Sequence, residues 1–125
     1  MARILVVEDD DAVRSFTSRA LIRDGHDVLM AEDGEIAIET VREHNGRFDL
    51  VLSDIRMPVV DGIELAWLVG REFPQLPILL MTGYAEQREQ AADLRDIIID
   101  VLPKPFELKD LRAYVSSALE ERKAA

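Results

Sequence analysis

The chain contains no cysteine, which excludes both a disulfide framework and a thiol nucleophile and leaves a reducing compartment permitted. Aromatic residues are scarce at 6%, while hydrophobic residues together make up 48%, so a core of Val, Ile, Leu and Ala is expected. Positive charge is also short. Lys and Arg number 15 against 25 Asp and Glu, and the resulting net charge of −10 would repel a phosphate backbone, which argues against direct nucleic-acid binding. There is no apolar run of membrane-spanning length, and Arg3 precedes only Ile4 to Val7, too brief for the core of an export signal. A cytoplasmic protein is expected. The 125 residues suit one domain over 1–125, whose Met1 suits a natural start although an excised domain would look alike, and no Pro/Gly/Ser-rich linker or internal repeat divides them.

What is present is an alternation of short apolar runs with amphipathic stretches, the appearance of strands buried on both faces and helices packed over them. The runs are Ile4 to Val7, Val28 to Ala31, Leu50 to Leu52, Ile78 to Met81, and Ile97 to Ile99 leading to Val101-Leu102. Between the first two, Val13, Phe16, Thr17, Ala20 and Leu21 recur at helical spacing, and Gly25 stands where a helix would stop. Further helices are expected from Glu35 to His44, Gly62 to Glu72, Glu86 to Leu94 and Leu108 to Glu121, the last with the stripe Leu108, Leu111, Val115 and Ala118. Each parallel strand needs a crossover helix, so five such units predict a doubly wound α/β fold: a five-stranded parallel sheet with five helices distributed over both faces.

In such sheets the loops at the strand C-termini meet where ligands bind. Here the first strand ends in Glu8-Asp9-Asp10, the third in Asp54, the fourth in Thr82, and the fifth in Lys104-Pro105. Carboxylates gathered at one edge repel one another and hold protons more tightly unless a cation compensates. Mg²⁺ suits the task, because it takes one or two carboxylates plus phosphate oxygens and keeps several waters. A carboxylate can attack phosphorus, and Asp54 is the candidate nucleophile. The transferred group spreads charge over three oxygens, for which Mg²⁺, Thr82 and Lys104 would supply a cation, a hydroxyl and a second positive charge. Singly these residues are ordinary: Asp9 or Asp10 is as readily a helix cap, Thr82 a turn residue, Lys104 a surface lysine. Their coincidence at four strand ends shifts the balance. In the loop after Asp54, Pro58 stiffens the chain and Asp61 is placed to cap the next helix.

These residues resemble the receiver domains of bacterial response regulators. The resemblance rests on Val6-Val7-Glu8-Asp9-Asp10, Ser53 to Pro58 with Asp61-Gly62, Met81-Thr82-Gly83 and Lys104-Pro105-Phe106, which span nearly the whole chain in order. It implies a flavodoxin-like strand order 2-1-3-4-5. It further implies that Asp54 takes phosphate from a histidine kinase or histidine phosphotransfer protein, using Mg²⁺ held by Asp9, Asp54 and the backbone carbonyl of Arg56, with Glu8 acting through a water. Thr82 and Lys104 would contact the phosphoryl oxygens and move on phosphorylation, so that the face built from the fourth helix, fifth strand and fifth helix changes partners. Arg56 and Tyr84 occupy positions that in the family flank the attacking water, implying an effect on phosphoryl lifetime. Where many receivers carry a rotating aromatic three residues before the lysine, this chain has Val101, with Tyr84 as a substitute or as a plain loop residue.

Met81 to Arg88 and Asp100 to Phe106 also resemble the CpdR type of stand-alone receiver. That likeness implies control of regulated proteolysis through the ClpXP protease in the unphosphorylated form, reversed by a cell-cycle phosphorelay, with recruitment to a cell pole. Competing readings are a phosphate shuttle or sink, a scaffold that needs no phosphorylation, a flavin carrier and a Mg²⁺-dependent phosphatase. The acidic first loop opposes a flavin phosphate, which calls for a loop rich in neutral donors. A phosphatase would want an acid/base carboxylate shortly after the nucleophile, where Arg56 and Met57 stand. A non-enzymatic switch is therefore expected.

Overall fold

A computed structural model describes residues 2–84, 89, 91, 94 and 96–124, with side chains through residue 121. Five strands, β1 (Arg3–Val7), β2 (Asp27–Ala31), β3 (Leu50–Asp54), β4 (Ile78–Thr82) and β5 (Asp100–Pro103), form one parallel sheet in the order β2-β1-β3-β4-β5. That is the flavodoxin-like order. The described residues hold four helices: α1 (Asp11–Arg23), α2 (Gly34–Glu43), α3 (Gly62–Glu72) and α4 (Leu108–Ala124). Five were expected, and the remaining one, over Glu86 to Leu94, falls largely outside the described residues.

Strand side chains alternate between the two faces. Ile4, Val6, Leu50, Leu52, Leu79, Met81 and Leu102 pack with Ala20 and Leu21 of α1 and with Leu111, Val115 and Ala118 of α4. On the other face, Leu5, Val7, Val51, Ile78 and Leu80 meet Ala37, Ile38 and Val41 of α2 and Leu65, Ala66 and Val69 of α3. The central strands β3 and β4 are buried at every position, which is why Leu50 to Leu52 and Ile78 to Met81 read as apolar runs, while the polar residues that end them, Ser53, Asp54 and Thr82, are buried too.

Helix ends follow local chemistry. Asp10, Asp33 and Asp61 are the N-caps of α1, α2 and α3, each accepting from main-chain N–H groups of the first turn. Beyond α1, Gly25 takes φ 91° and donates its N–H to the Ile22 carbonyl at 3.0 Å, the left-handed stop that its place in the sequence announced.

Two expectations need correction. The run Ile97-Ile98-Ile99 does not open the fifth strand, because the N–H groups of Ile97 and Ile98 both donate to the Leu94 carbonyl, at 2.8 and 2.9 Å, and turn the chain there. In α1, Phe16 is 48% exposed whereas Thr17 and Ser18 are buried. The face formed by Thr17, Ala20 and Leu21 meets the sheet, and Phe16 lies one residue, about 100°, to its side.

Candidate functional site

The sheet brings the singled-out residues to one edge. Val7 is in register with Ser53, Asp54 with Met81, and Thr82 with Pro103, so the C-terminal ends of β1, β3, β4 and β5 finish nearly level. Main-chain bonds carry the alignment past the strands: Ile55 N–H donates to the Met81 carbonyl at 3.0 Å, and Lys104 N–H to the Thr82 carbonyl at 2.8 Å. The chain leaving Asp54 is shaped by a close approach. A Cβ at Gly62 would lie 2.4 Å from the Asp54 carbonyl oxygen, so only glycine lets α3 begin against the backbone of the candidate nucleophile.

The acidic run at the end of β1 divides its labour. Asp10 caps α1, accepting from the N–H groups of Ala12 and Val13 at 2.9 and 3.0 Å. Glu8 and Asp9 turn instead to Asp54, and one carboxylate oxygen from each of the three lies within 4.8 Å of the others. Glu8 is 1% exposed and Asp54 7%, while Asp9 stands at the solvent rim. Lys104 enters this cluster with Nζ 2.6 Å from Glu8 Oε1 and 3.4 Å from Asp54 Oδ1. Thr82 is buried beside it, and its Oγ1 accepts the Tyr84 N–H at 3.1 Å.

Burial pushes the Glu8 carboxyl above its ordinary range, and the neighbouring Asp54 charge adds to that, against the opposing pull of Lys104. Asp9 is raised as well, first by partial burial and then by its contact with Glu8. For Lys104, burial works against the charge, yet the hydrogen bond to Glu8 and the charges of Asp54 and Glu8 outweigh it, so the amine stays protonated above its usual range. The cluster therefore holds more negative charge than one ammonium compensates. That is the electrostatic signature of a place for a further cation, and an all-oxygen donor set suits Mg²⁺.

The sequence matches the response regulator receiver domain over residues 4–116. The chain belongs to the response regulator receiver family. It is 37% identical over 110 residues to the response regulator protein FleR of Pseudomonas aeruginosa, covering 88% of this chain and 23% of that protein. It is 38% identical over 121 residues to the sensor kinase CckA of Brucella abortus, covering 97% of this chain and 13% of that one. The chain thus spans a quarter or less of the length of these two relatives. A receiver domain protein from Clostridium thermocellum superposes with a TM-score of 0.90 over 99% of this chain and 98% of that one, at 22% identity, and shares the fold.

Within the receiver, the structure adds contacts that the sequence does not announce. The Arg56 guanidinium donates a hydrogen bond to the Tyr84 hydroxyl and lies 5.0 Å from the centre of its ring, joining the loops after β3 and β4 beside Asp54. Their separation of 28 residues leaves no periodic or spacing signal. Val101, in β5, is half-buried against the core on the α2 and α3 side. Phe16 and Phe106 line the same cleft as Glu8, Asp9, Asp54 and Lys104 and give its rim an apolar flank. A second open cleft, at the other end of the sheet around Phe48, Phe73 and Leu76, contains none of the candidate residues.

Proposed function

We propose that this receiver is a phosphorylation switch in which Asp54 accepts a phosphoryl group from a histidine kinase or histidine phosphotransfer protein. The observation that carries the reading is the convergence of Glu8, Asp9 and Asp54 on one another with Lys104 between Glu8 and Asp54. An Asp54 carboxylate oxygen forms the new bond to phosphorus while the bond from phosphorus to the donor nitrogen breaks, and the product is an aspartyl phosphate. Asp9, Asp54 and the carbonyl of Arg56 would hold Mg²⁺, with Glu8 acting through a water. Bound there, the ion would neutralise charge on the phosphoryl oxygens. Lys104 exchanges its contact with Asp54 for a phosphoryl oxygen, and Thr82 offers its hydroxyl to another.

With the phosphoryl group retained on the chain, the protein acts as a regulator and not as a turnover enzyme. The Arg56–Tyr84 bridge stands beside Asp54, where it would restrict water and lengthen the lifetime of the aspartyl phosphate. Val101 leaves no aromatic rotamer to couple to Thr82. Phosphorylation would alter the face formed by β5, the last helix and the chain before them, and so the partners it accepts. The apolar flank at Phe16 and Phe106 supports docking of a helical phosphodonor beside the cleft. No helix among the described residues is long and apolar enough to cross a membrane, and we place the protein in the cytoplasm.

The CpdR-like segments support a finer reading, in which the unphosphorylated form assists ClpXP and is recruited to a cell pole. The likeness to part of the CckA sensor kinase supports the alternative of a shuttle within a relay. Adding the chain to a reconstituted ClpXP digestion distinguishes them: faster proteolysis that phosphorylation abolishes favours the first, no effect the second. The switch itself is tested by intact mass after incubation with acetyl phosphate. One added phosphoryl group, dependent on Mg²⁺ and lost in Asp54→Asn, is expected; its absence under all phosphodonors would leave a scaffold.

A further inference from the structure

We propose that Arg14 is a positioning residue for the acidic pair Glu8 and Asp9, setting their affinity for a divalent cation through the main chain between them. The inference rests on reading Glu8, Asp9 and Asp54 as the Mg²⁺ site. The Arg14 side chain is 17% exposed, and its guanidinium forks. One nitrogen, Nη1, donates to the Glu8 carbonyl oxygen at 2.8 Å, and the other, Nη2, pairs with the Asp11 carboxylate.

The carbonyl of Glu8 and the N–H of Asp9 belong to one rigid peptide plane. The preceding plane is fixed by Glu8 N–H donating to the Ala31 carbonyl at 3.1 Å, so Arg14 completes the restraint on the turn that separates the two carboxylates. Its own N–H returns to the Asp10 carbonyl at 2.9 Å, closing the loop onto the first turn of α1. The pairing with Asp11, three residues back, gives α1 a small local support, but the bond to the Glu8 carbonyl leaves the helix and reaches the preceding loop. Through that second bond it restrains the loop, and with it the direction in which Asp9 points.

The test is calorimetric titration of Mg²⁺ into wild type, Arg14→Met, Arg14→Lys and the distant control Arg112→Met, whose parent side chain pairs with Asp24 on the surface at 3.0 Å. Melting in EDTA is recorded in parallel. Loss of a group that orients metal ligands weakens metal binding by tenfold or more, so Arg14→Met should raise the Mg²⁺ Kd about tenfold. Arg14→Lys should fall between, since one amine can reach the Glu8 carbonyl but cannot also fork to Asp11. At saturating Mg²⁺, phosphorylation of Arg14→Met by acetyl phosphate should recover to within about twofold of wild type, because the loss lies in binding and not in chemistry. An unchanged Kd in Arg14→Met, or an equal loss in Arg112→Met, overturns the assignment. If Arg14→Met fails to fold, Arg14→Lys decides, and an unchanged Kd overturns it there too. Absence of Mg²⁺ binding by the wild type would instead overturn the reading of the site, and this inference with it.

Discussion

Replacing Lys104 by methionine keeps most of the side-chain stem and removes the ammonium that pairs with Glu8 at 2.6 Å and Asp54 at 3.4 Å. Glu8 is 1% exposed, so the change leaves a buried carboxylate without its cation. Breaking a buried pair in this way costs about 3–5 kcal/mol. Part of that is recovered because Glu8, already raised by burial, can take up a proton, each unit of raised proton affinity being worth about 1.4 kcal/mol. We expect a net loss of about 2–4 kcal/mol at pH 7 without Mg²⁺, a fall in Tm of roughly 10 °C for a domain of this size.

The sign of the pH dependence follows from the same residues. In Lys104→Met the folded state binds a proton at Glu8 more tightly than the unfolded chain does, so stability falls as pH rises from the ordinary carboxylate value of 4.5 through the raised one. Below that window both states are protonated and the difference from wild type should nearly vanish. Thermal or urea melts at pH 4 and pH 7 in EDTA measure it, and the double variant Lys104→Met/Glu8→Gln should regain most of the loss at pH 7. A Lys104→Met protein as stable as wild type at pH 7, or a deficit that does not shrink on acidification, would refute the electrostatic account.

Three further outcomes are expected. Val59 is a β-branched residue at φ 67° and 84% exposed, so Val59→Gly should relieve strain and raise stability by about 1 kcal/mol in a urea melt, whereas a loss would show that the side chain contributes contacts worth more. Thr17 Oγ1 is buried without a hydrogen-bond partner among the described residues, and Thr17→Val, which keeps the shape, should be neutral or stabilising by up to about 2 kcal/mol; marked destabilisation would mean that the hydroxyl is satisfied. Because Glu8 and Asp9 hold protons above their ordinary values of 4.5 and 3.8, Mg²⁺ affinity should climb with pH through and beyond that range and level off above it. Mg²⁺ titrations at pH 5 and pH 7.5 that give equal affinities would contradict this.

The parallel sheet was legible because its central strands are buried on both faces and so open with runs of apolar residues, Leu50 to Leu52 and Ile78 to Met81, and because Asp61 and Gly25 mark helix ends by local hydrogen bonding alone, whereas the Asp33 cap of α2 was not read from the sequence. The four strand ends were legible for the same reason: once the strands are located, the topology dictates which loops meet. Apolar character alone misled in two places. Ile97 and Ile98 fill the core from a turn, and Phe16 carries helical spacing yet lies beside the buried stripe. Hydrophobicity records that a side chain is apolar and not which main-chain bond its residue makes. Contacts such as Arg14 with the Glu8 carbonyl and Arg56 with Tyr84 depend on how loops close in space, and no periodicity encodes them.

The central claim is that Asp54 itself carries the phosphoryl group, and locating the acyl phosphate tests it most directly. The phosphorylated protein is reduced with borohydride, which converts an aspartyl phosphate to homoserine, and the digest is sequenced by mass spectrometry. The account predicts homoserine at position 54 alone, formed only when Mg²⁺ was present during phosphorylation. Homoserine at position 9, or the corresponding reduced residue at position 8, with position 54 unmodified, would contradict it.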